Sequence, residues 1–251
     1  MKNIHPQTLF ILFPLYTLPC FSIYYLGNYS FNYFIGFLLT WILIGGIGLE
    51  LTHHRYWAHQ QFKVHKLTEW IISYIGCLSL HGSPLFWRSH HIMHHRYTDV
   101  DGDPHSPVKG FFHSTIGWSI DKENLNKINF KYAGKKMLTD PYQLALQKYY
   151  YFIVYLSFFS VYLISSSFFW LCFVPAVFIA FHQGPLVNWF CHRKGKGKEI
   201  KISNLNNLSL VTWGLSLHNN HHNNPSSINF SSSETTVDFG YWLYKLTLKH
   251  V

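Results

Sequence analysis

The sequence predicts an all-α integral membrane protein, in which a bundle of four transmembrane helices carries a helical cap on the cytoplasmic side. Three observations lead to this class. Charged residues make up only 12% of the 251 residues and hydrophobic residues 48%, whereas charged residues are about 25% of an average soluble domain. Four apolar stretches are long enough to cross a bilayer. Histidines are concentrated in the polar segments that follow these stretches.

The four spans are predicted from length, because a bilayer core of about 30 Å requires about 20 apolar residues in a helix. The stretches that meet this requirement cover residues 7–26, 31–52, 149–167 and 168–190. Membrane helices tolerate proline, although it kinks them, and the prolines inside these stretches are Pro14, Pro19, Pro175 and Pro185. The first stretch lacks a small-residue cleavage pattern, so we expect it to be retained rather than removed as a signal peptide.

The basic residues predict the orientation of the spans. Residues 53–148 contain twelve of the 20 Lys and Arg residues, and residues 191–251 contain seven more, whereas the short links at residues 27–30 and 165–167 contain none. The positive-inside rule therefore places both large polar segments and both termini in the cytoplasm. We expect residues 1–251 to form one domain, with residues 53–148 and 191–251 as its cytosolic cap.

Composition also restricts the possible functions. The net charge of +9 fits contact with anionic lipid headgroups or an acidic carrier, and no motif that reads nucleic acid bases accompanies it. The four cysteines lie far apart without a C-x-x-C pair, which argues against zinc ribbons, redox dithiols and cysteine-bound iron–sulfur clusters. With 18 histidines and 11 carboxylates, a metal site in this chain would be rich in nitrogen.

Two triplets of histidine share one spacing. His91, His94 and His95 lie three and four residues apart in "HIMHH", which puts them on one face of a helix. The same spacing recurs in "HNNHH", at His218, His221 and His222. Two such triplets can face each other across one site.

Two further motifs lie next to predicted spans. His54 and His59 in "HRYWAH" are five residues apart, which is about 140° of rotation on an α-helix and the wrong face for a shared metal. We therefore expect the second helix to end near Thr52 or to distort there. Asn188 and His192 in "NWFCH" are four apart, on one face at the end of the fourth span.

Together these motifs offer nine imidazoles and one amide, which is more than one metal ion can use. Two ions with four or five nitrogen ligands each would use them all. Neutral imidazole suits iron, zinc, copper and nickel, so the residues alone leave the metal open. The histidines adjoining these motifs, His53 and His90, break the spacing, and we expect them to support the ligands or lie on the surface.

The motifs resemble those of the membrane-bound fatty acid desaturases, especially the Δ9 type. The resemblance runs from about Leu43 to about Asp238, and its motifs "HRYWAH", "WRSHHIMHHRYTDVDGDPHSPVKGFFHSTIGW", "NWFCH" and "HNNHHNNP" occur in the family's order. It implies a four-span bundle and a cytosolic cap with a di-iron centre between them. It also implies an O2-dependent oxidoreductase that inserts a cis double bond into a long acyl chain.

Carried onto matching positions, the resemblance implies two iron ions as cofactors and O2 as co-substrate. The implied iron ligands are His54, His59, His91, His94, His95, His192, His218, His221 and His222, and Asn188 binds through a water. No further catalytic residue is implied. Electrons are expected from a separate ferredoxin or cytochrome b5, since the chain has neither an "HPGG" haem motif nor a cysteine set for a ferredoxin.

The chain departs from the animal acyl-CoA desaturases just before the second motif. An Arg–Asp pair that helps to hold CoA in those enzymes is replaced by Ser89 and His90. The preceding "GSPLFW" resembles the "GGPIEW" of bacterial acyl-lipid enzymes. An acyl-lipid or an acyl-carrier-protein thioester is therefore as compatible with the sequence as acyl-CoA.

Two other functions stay open at this stage. Hydroxylases and acetylenases of the same superfamily use similar motifs. A membrane protein that binds or moves metal without catalysis is the second alternative, but its ligands should be distributed through the spans, where only His182 lies. For a desaturase we expect a bent apolar tunnel that fixes the position of the acyl chain, with Trp87 and Trp118 as possible walls.

Overall fold

The protein is mostly helical. The computed structural model describes residues 4–194, 200–233 and 236–250. In this part of the chain, three helices are long and apolar enough to cross a membrane: Pro6–Asn28, Phe31–Ala58 and Ser166–Cys191. The third predicted stretch forms a shorter apolar helix of 15 residues, Tyr150–Ile164.

The long helices are composite. Helix α1 (Pro6–Tyr25) ends in a 3₁₀ turn, Leu26–Asn28, and α2 (Phe31–Trp41) continues without a break as a π-helical segment, Ile42–Ala58. Near the C-terminal end, α10 (Ser166–Phe168), a π-helical turn at Phe169–Phe173 and α11 (Val174–Cys191) form one continuous rod. The 15-residue apolar helix is α9 (Tyr150–Ile164).

The remaining elements are shorter and carry most of the polar residues. Two helices precede the second histidine motif or contain it: α3 (Lys66–Cys77) and α4 (Pro84–Tyr97). The other helices are α5 (Trp118–Ile120), α6 (Lys122–Asn126), α7 (Lys135–Leu138), α8 (Pro141–Lys148), α12 (His218–Asn223) and α13 (Phe239–Thr247). Single turns of 3₁₀ or π-helix lie at Pro107–Lys109, His113–Gly117, Phe130–Ala133 and Asn206–Leu208.

A small hairpin follows α11. Strands β1 (His192–Lys194) and β2 (Ile200–Ile202) pair antiparallel, with His192 opposite Ile202. Because β1 begins at the residue after α11, the hairpin fixes the backbone of His192 directly beyond the end of the long helix.

Two apolar clusters form most of the core. The first packs α1, α9 and the α10–α11 rod together through buried side chains such as Leu15, Val154 and Phe173. The second joins the π-helical segment to α3, α4 and α13, with Leu51 and Leu243 among its members. The π-helical segment thus contacts the polar elements over most of its length, and 14 of its 17 residues are buried.

The π-helical segment explains how His54 and His59 can approach each other although they are five residues apart. The expected distortion is confirmed, because His59 N–H donates to the carbonyl of His54 at 3.1 Å, an i→i+5 bond. This looser winding brings residues five apart nearer to one face than an α-helix does, and the ring centres of His54 and His59 lie 5.0 Å apart. The expected end near Thr52 is wrong: the helix continues to Ala58, since the polar residues beyond Thr52 are buried and find partners inside the protein.

The crossing of this segment with α3 depends on glycine. A Cβ atom on Gly48 would lie 3.0 Å from the carbonyl oxygen of Ile75, and a Cβ atom on Gly76 would enter the imidazole ring of His53. Both glycines therefore permit a close approach of two helices that a side chain would prevent.

We expect Gly76→Ala to destabilise the protein by about 1–3 kcal/mol, because His53 is fully buried and overpacking of a filled core has this cost. Thermal unfolding in detergent measures the effect. Gly27→Ala is the matched control, since a Cβ atom at Gly27 has nothing within 4 Å. Equal melting temperatures for the two variants would contradict the prediction.

Candidate metal centre

The histidine motifs converge in space. The ring nitrogens of His54, His59, His91 and His221 lie within 4.8 Å of one another, and their Nε2 atoms come as close as 2.8 Å, between His59 and His91. His95 adjoins this group, with its Nε2 2.8 Å from that of His221 and 3.1 Å from that of His91. These five residues form the first histidine group.

A second histidine group lies beside the first. His94, His192, His218 and His222 bring ring nitrogens within 4.8 Å of one another. Nε2 of His218 is 2.8 Å from Nε2 of His192 and 3.1 Å from Nε2 of His222. All nine histidines that the motifs indicate are therefore brought together, five in one group and four in the other.

Hydrogen bonds between the rings cannot account for all of these short distances between nitrogen atoms. A neutral imidazole nitrogen carries either a proton or a lone pair. In the first group, Nε2 of His91, His95 and His221 each contacts two other Nε2 atoms, and a single proton does not serve two such contacts well. A cation among the nitrogens would accept all the lone pairs at once, and neutral imidazole is a ligand of iron, zinc, copper and nickel.

Carboxylates fix three of the rings from behind. In each case a buried or nearly buried carboxylate faces Nδ1, so that Nδ1 carries the proton and the lone pair of Nε2 points into the histidine groups. The three contacts are His54 with Glu50 at 3.0 Å, His94 with Asp103 at 2.9 Å and His192 with Asp99 at 2.7 Å.

Asp103 also joins His94 and His105 in a third set of possible ligands within 4.8 Å. Nδ1 of His105 is 3.8 Å from the second oxygen of Asp103. Because Asp103 already uses Nδ1 of His94, this set orients His94 toward the second group instead of competing with that group for its Nε2.

Asn188 presents an oxygen atom next to these histidines. Its Nδ2 donates to the carbonyls of His105, at 2.9 Å, and Ser114, at 3.2 Å. The two acceptors settle which end of the amide is nitrogen. Oδ1 is buried and has no hydrogen-bond partner among the described residues, and Asn188 lines the same small cavity as His94 and His218. The amide thus offers an acceptor for a water at the site.

The neighbouring histidines are more buried than a surface position would allow. His53 and His90 are 0% and 4% exposed. Nε2 of His53 contacts the carbonyl of Gly82 at 3.1 Å, and the ring of His90 stacks on Trp87 at 4.8 Å. Both therefore support the ligand-bearing segments, and of the two expected roles the surface one is wrong.

Two neighbouring cavities share lining residues, and the smaller one reaches the grouped histidines. One, of about 70 Å³, is lined by Trp87, Trp118 and Leu215 together with several of the histidines. A larger one, of about 360 Å³, has apolar walls and polar side chains such as Gln147 and Lys148. The two share His81, Trp118 and Pro185 as lining residues. Both tryptophans expected as tunnel walls thus face the histidine-lined cavity.

Burial favours the neutral form of four grouped histidines that lie outside the membrane-spanning helices. Desolvation lowers the pKa of His91, His94, His95 and His218 well below the usual value, and neighbouring imidazoles lower it further. A neutral ring retains the lone pair that a metal requires, so the electrostatics of the two groups agree with their geometry.

We expect acid to destabilise the fold through two buried histidines that belong to neither group. Burial lowers the pKa of His81 to about 4 and that of His90 below its usual range. The unfolded chain takes up these protons near pH 6.5 and the folded chain does not. Stability is therefore lost as the pH falls below 6.5, by about 1 kcal/mol per histidine at pH 5.5. Thermal unfolding at pH 7.5 and 5.5 tests this, and a higher melting temperature at pH 5.5 would contradict it.

The motifs did not assign a role to the three carboxylates that contact Nδ1 of the histidine rings. Glu50 stands four residues before His54, which is a usable signal because the two then share a helix face. Asp103 lies in the "DPH" stretch that resembles the family's sequence, but the resemblance assigned no role to this residue. Asp99 contacts His192, which lies 93 residues away in the sequence, and no local sequence pattern predicts that contact.

Comparison with known proteins agrees with this site. Residues 28–232 match the sequence model of the family described as fatty acid desaturase. An "Acyl-CoA 5-desaturase AL21" from Anemone leveillei is 32% identical over 225 residues, covering 87% of this chain and 70% of that protein. A "Delta-9 acyl-lipid desaturase 2" from Arabidopsis thaliana is 34% identical over 208 residues, covering 80% and 67%.

A bacterial relative shows a similar level of identity. An "sn-1 stearoyl-lipid 9-desaturase" from Anabaena variabilis is 34% identical over 193 residues, covering 75% of this chain and 70% of that protein. The family match spans most of the chain, and it includes all nine grouped histidines and Asn188. The chain therefore belongs to the fatty acid desaturase family and is an oxidoreductase that desaturates acyl chains.

Proposed function

We propose that the protein is an O2-dependent acyl desaturase that inserts a cis double bond into a long acyl chain at a di-iron centre. The observation that carries this proposal is the pair of adjacent histidine groups with converging Nε2 atoms. The first iron would be held by His54, His59, His91, His95 and His221. The second would be held by His94, His192, His218 and His222, with Asn188 bound through a water.

The chemistry of the substrate supports a redox metal. An unactivated methylene has neither an acidic proton nor a leaving group, so acid–base and nucleophilic groups do not suffice. Iron would supply the oxidising power of O2, which would take two electrons from an external donor and two hydrogens, with their two electrons, from neighbouring carbons. With two further protons, both oxygen atoms end in water. The donor set agrees, because neutral imidazole is a common ligand of iron.

The protein's own residues would then act by orienting the metal ligands and by positioning the acyl chain. Glu50, Asp99 and Asp103 hold three rings with their lone pairs directed inward. Trp87 and Trp118 wall the small cavity beside the histidines, so one C–C bond of an acyl chain lying there would be held next to the metals. Placement of this kind, and not binding strength, would select the position of the double bond.

Two buried residues reduce the choice among possible carriers of the acyl chain. Ser89 and His90 stand where CoA enzymes have a charged pair, and both are almost fully buried, with the hydroxyl of Ser89 bonded to the carbonyl of Leu85. They offer no exposed charge to a CoA phosphate. The relatives act on acyl-CoA and acyl-lipid substrates by name, and for this chain we favour an acyl-lipid or acyl-carrier-protein thioester over acyl-CoA.

We further propose that four apolar helices span the membrane, α9 included, and that both termini and the metal centre lie in the cytoplasm. The polar elements of residues 53–148 and 191–251 would form the cap. The support is the distribution of Lys and Arg together with the three long apolar helices. Electrons would come from a separate ferredoxin or cytochrome b5 that docks on the cytoplasmic face. Turnover of the purified protein with only NADH and O2 would refute this last point.

Expression in a host that lacks unsaturated lipids tests the proposed reaction. Fatty-acid profiling with localisation of the double bond should reveal a new cis-unsaturated product two hydrogens lighter than its precursor. A product with added oxygen would indicate a hydroxylase instead, and a triple bond an acetylenase. An unchanged profile together with bound zinc, copper or nickel would indicate a metal-binding protein without catalysis.

A further inference from the structure

A buried arginine connects the first histidine group to the C-terminal part of the chain. Arg55, at 0% exposure, adjoins the ligand candidate His54. Its Nε donates to Glu50 at 2.7 Å, and the other oxygen of Glu50 faces Nδ1 of His54 at 3.0 Å. The guanidinium therefore fixes the carboxylate that orients His54.

The opposite side of the guanidinium is held by Asp238. Nη1 and Nη2 of Arg55 donate to the two oxygens of Asp238 at 3.1 and 2.9 Å, a two-pronged pair with more geometric definition than a single bond. Asp238 also accepts from the backbone N–H groups of Phe230 and Tyr241. It thus ties Phe230 to the start of α13 and caps α13 at the same time.

Phe230, whose N–H donates to Asp238, packs against two of the proposed ligands, His54 and His221. Phe230 is 2% exposed, and its ring centre lies 4.8 Å from that of His221 and 5.9 Å from that of His54. The guanidinium of Arg55 lies 4.1 Å above the same ring. Arg55 therefore braces His54 through Glu50, and it braces both His54 and His221 through Phe230.

Two glycines leave the room that this pair requires. Cβ atoms on Gly214 and Gly240 would lie 2.9 and 2.7 Å from Nη2 of Arg55. Gly214 has φ = +86°, a conformation that glycine adopts without strain. The backbone on both sides is thus fitted closely around the guanidinium.

We infer that Glu50, Arg55 and Asp238 form one positioning network, through which Phe230 and the start of α13 hold the first histidine group in its metal-binding geometry. The inference rests on the proposed di-iron centre. Asp238 and α13 lie beyond residue 232, where the family match ends. None of the three residues contacts the substrate cavities; they act through His54 and His221.

The test compares Asp238→Asn with Glu69→Gln in the full-length, iron-loaded protein. Asn at 238 keeps the size and one oxygen but loses the charge that the guanidinium requires. Glu69 is the matched control, since it is a buried carboxylate, 3% exposed, that bonds Tyr56, Lys66 and Lys136 and contacts no histidine. Iron content is measured by elemental analysis and each iron by Mössbauer spectroscopy with ⁵⁷Fe.

Asp238→Asn should weaken the binding of one iron, by no more than the about 10–100-fold that losing a direct partner of a metal ligand costs, because Asp238 acts on His54 through Arg55 and Glu50. Iron content should fall from two toward one per chain, with one Mössbauer signal lost and the other unchanged. Glu50→Gln should remove the same signal, and the double variant should lose less than the sum of the two effects, because they act through one network. Glu69→Gln should keep both signals.

Two irons with wild-type spectra in Asp238→Asn would overturn the inference and leave the di-iron proposal intact. Equal losses from both irons, or the same loss in Glu69→Gln, would also overturn it, because general destabilisation would then explain the result. A wild-type protein that binds no iron would refute the di-iron proposal, and the inference with it.

Discussion

His94→Ala is expected to abolish the unsaturated product, with a loss of more than about 100-fold. Nε2 of His94 is buried and has no hydrogen-bond partner among the described residues, and Nδ1 is held by Asp103. The side chain is thus fixed in one orientation with a free lone pair, which is the arrangement of a metal ligand. Losing a ligand should cost more than the 10–100-fold that losing a ligand's outer partner costs.

The fatty-acid profile of an expressing host measures the loss, and elemental analysis of the purified variant shows whether iron binding fails with it. His65→Ala is the control, because His65 is exposed and lies outside both histidine groups. An active His94→Ala protein, with the same product as the wild type, would remove this residue from the proposed ligand set.

Asp103→Asn is expected to lower desaturation and iron affinity by about 10–100-fold. Asp103 is 1% exposed. Its two oxygens accept from Nδ1 of His94 and from the backbone N–H groups of Asp99 and His105. The Asn side chain keeps one acceptor oxygen but turns an amino group toward one of these donors, so the tautomer and the angle of the His94 ring are no longer fixed.

Asp101→Asn provides a close comparison for this variant. Asp101 lies two residues away on the same turn but is exposed, so its loss of charge should change activity little. Rates of double-bond formation at matched protein levels, together with iron content, measure both variants. Equal activities for Asp103→Asn and the wild type would show that the carboxylate does not orient His94.

The sequence predicts which histidines the fold groups together, because their spacing follows local rules. Spacings of three and four residues in "HIMHH" and "HNNHH" mark one helix face, and both stretches are helical in α4 and α12. The apolar stretches similarly predict α1, α2 with the π-helical segment, and the α10–α11 rod, since hydropathy over about 20 residues depends on composition alone.

Long-range partners are not predictable in this way. Asp238 pairs with Arg55 across 183 residues, and Asp99 faces His192 across 93. Isolated carboxylates of this kind look like surface residues until the fold encloses them. The predicted end of the second helix near Thr52 failed for a related reason: Glu50, Arg55 and His54 read as polar, yet their mutual contacts allow them to be buried.

The π-helical segment Ile42–Ala58 makes the candidate metal centre sensitive to chain length as well as to side-chain identity. Deleting one residue between His54 and His59 would leave both imidazoles in the chain and still displace one of them from its group. Changes of length should therefore be poorly tolerated here, whichever of residues 55–58 is deleted. In libraries that vary this region, we expect frame-preserving insertions and deletions of single codons to be depleted among active clones.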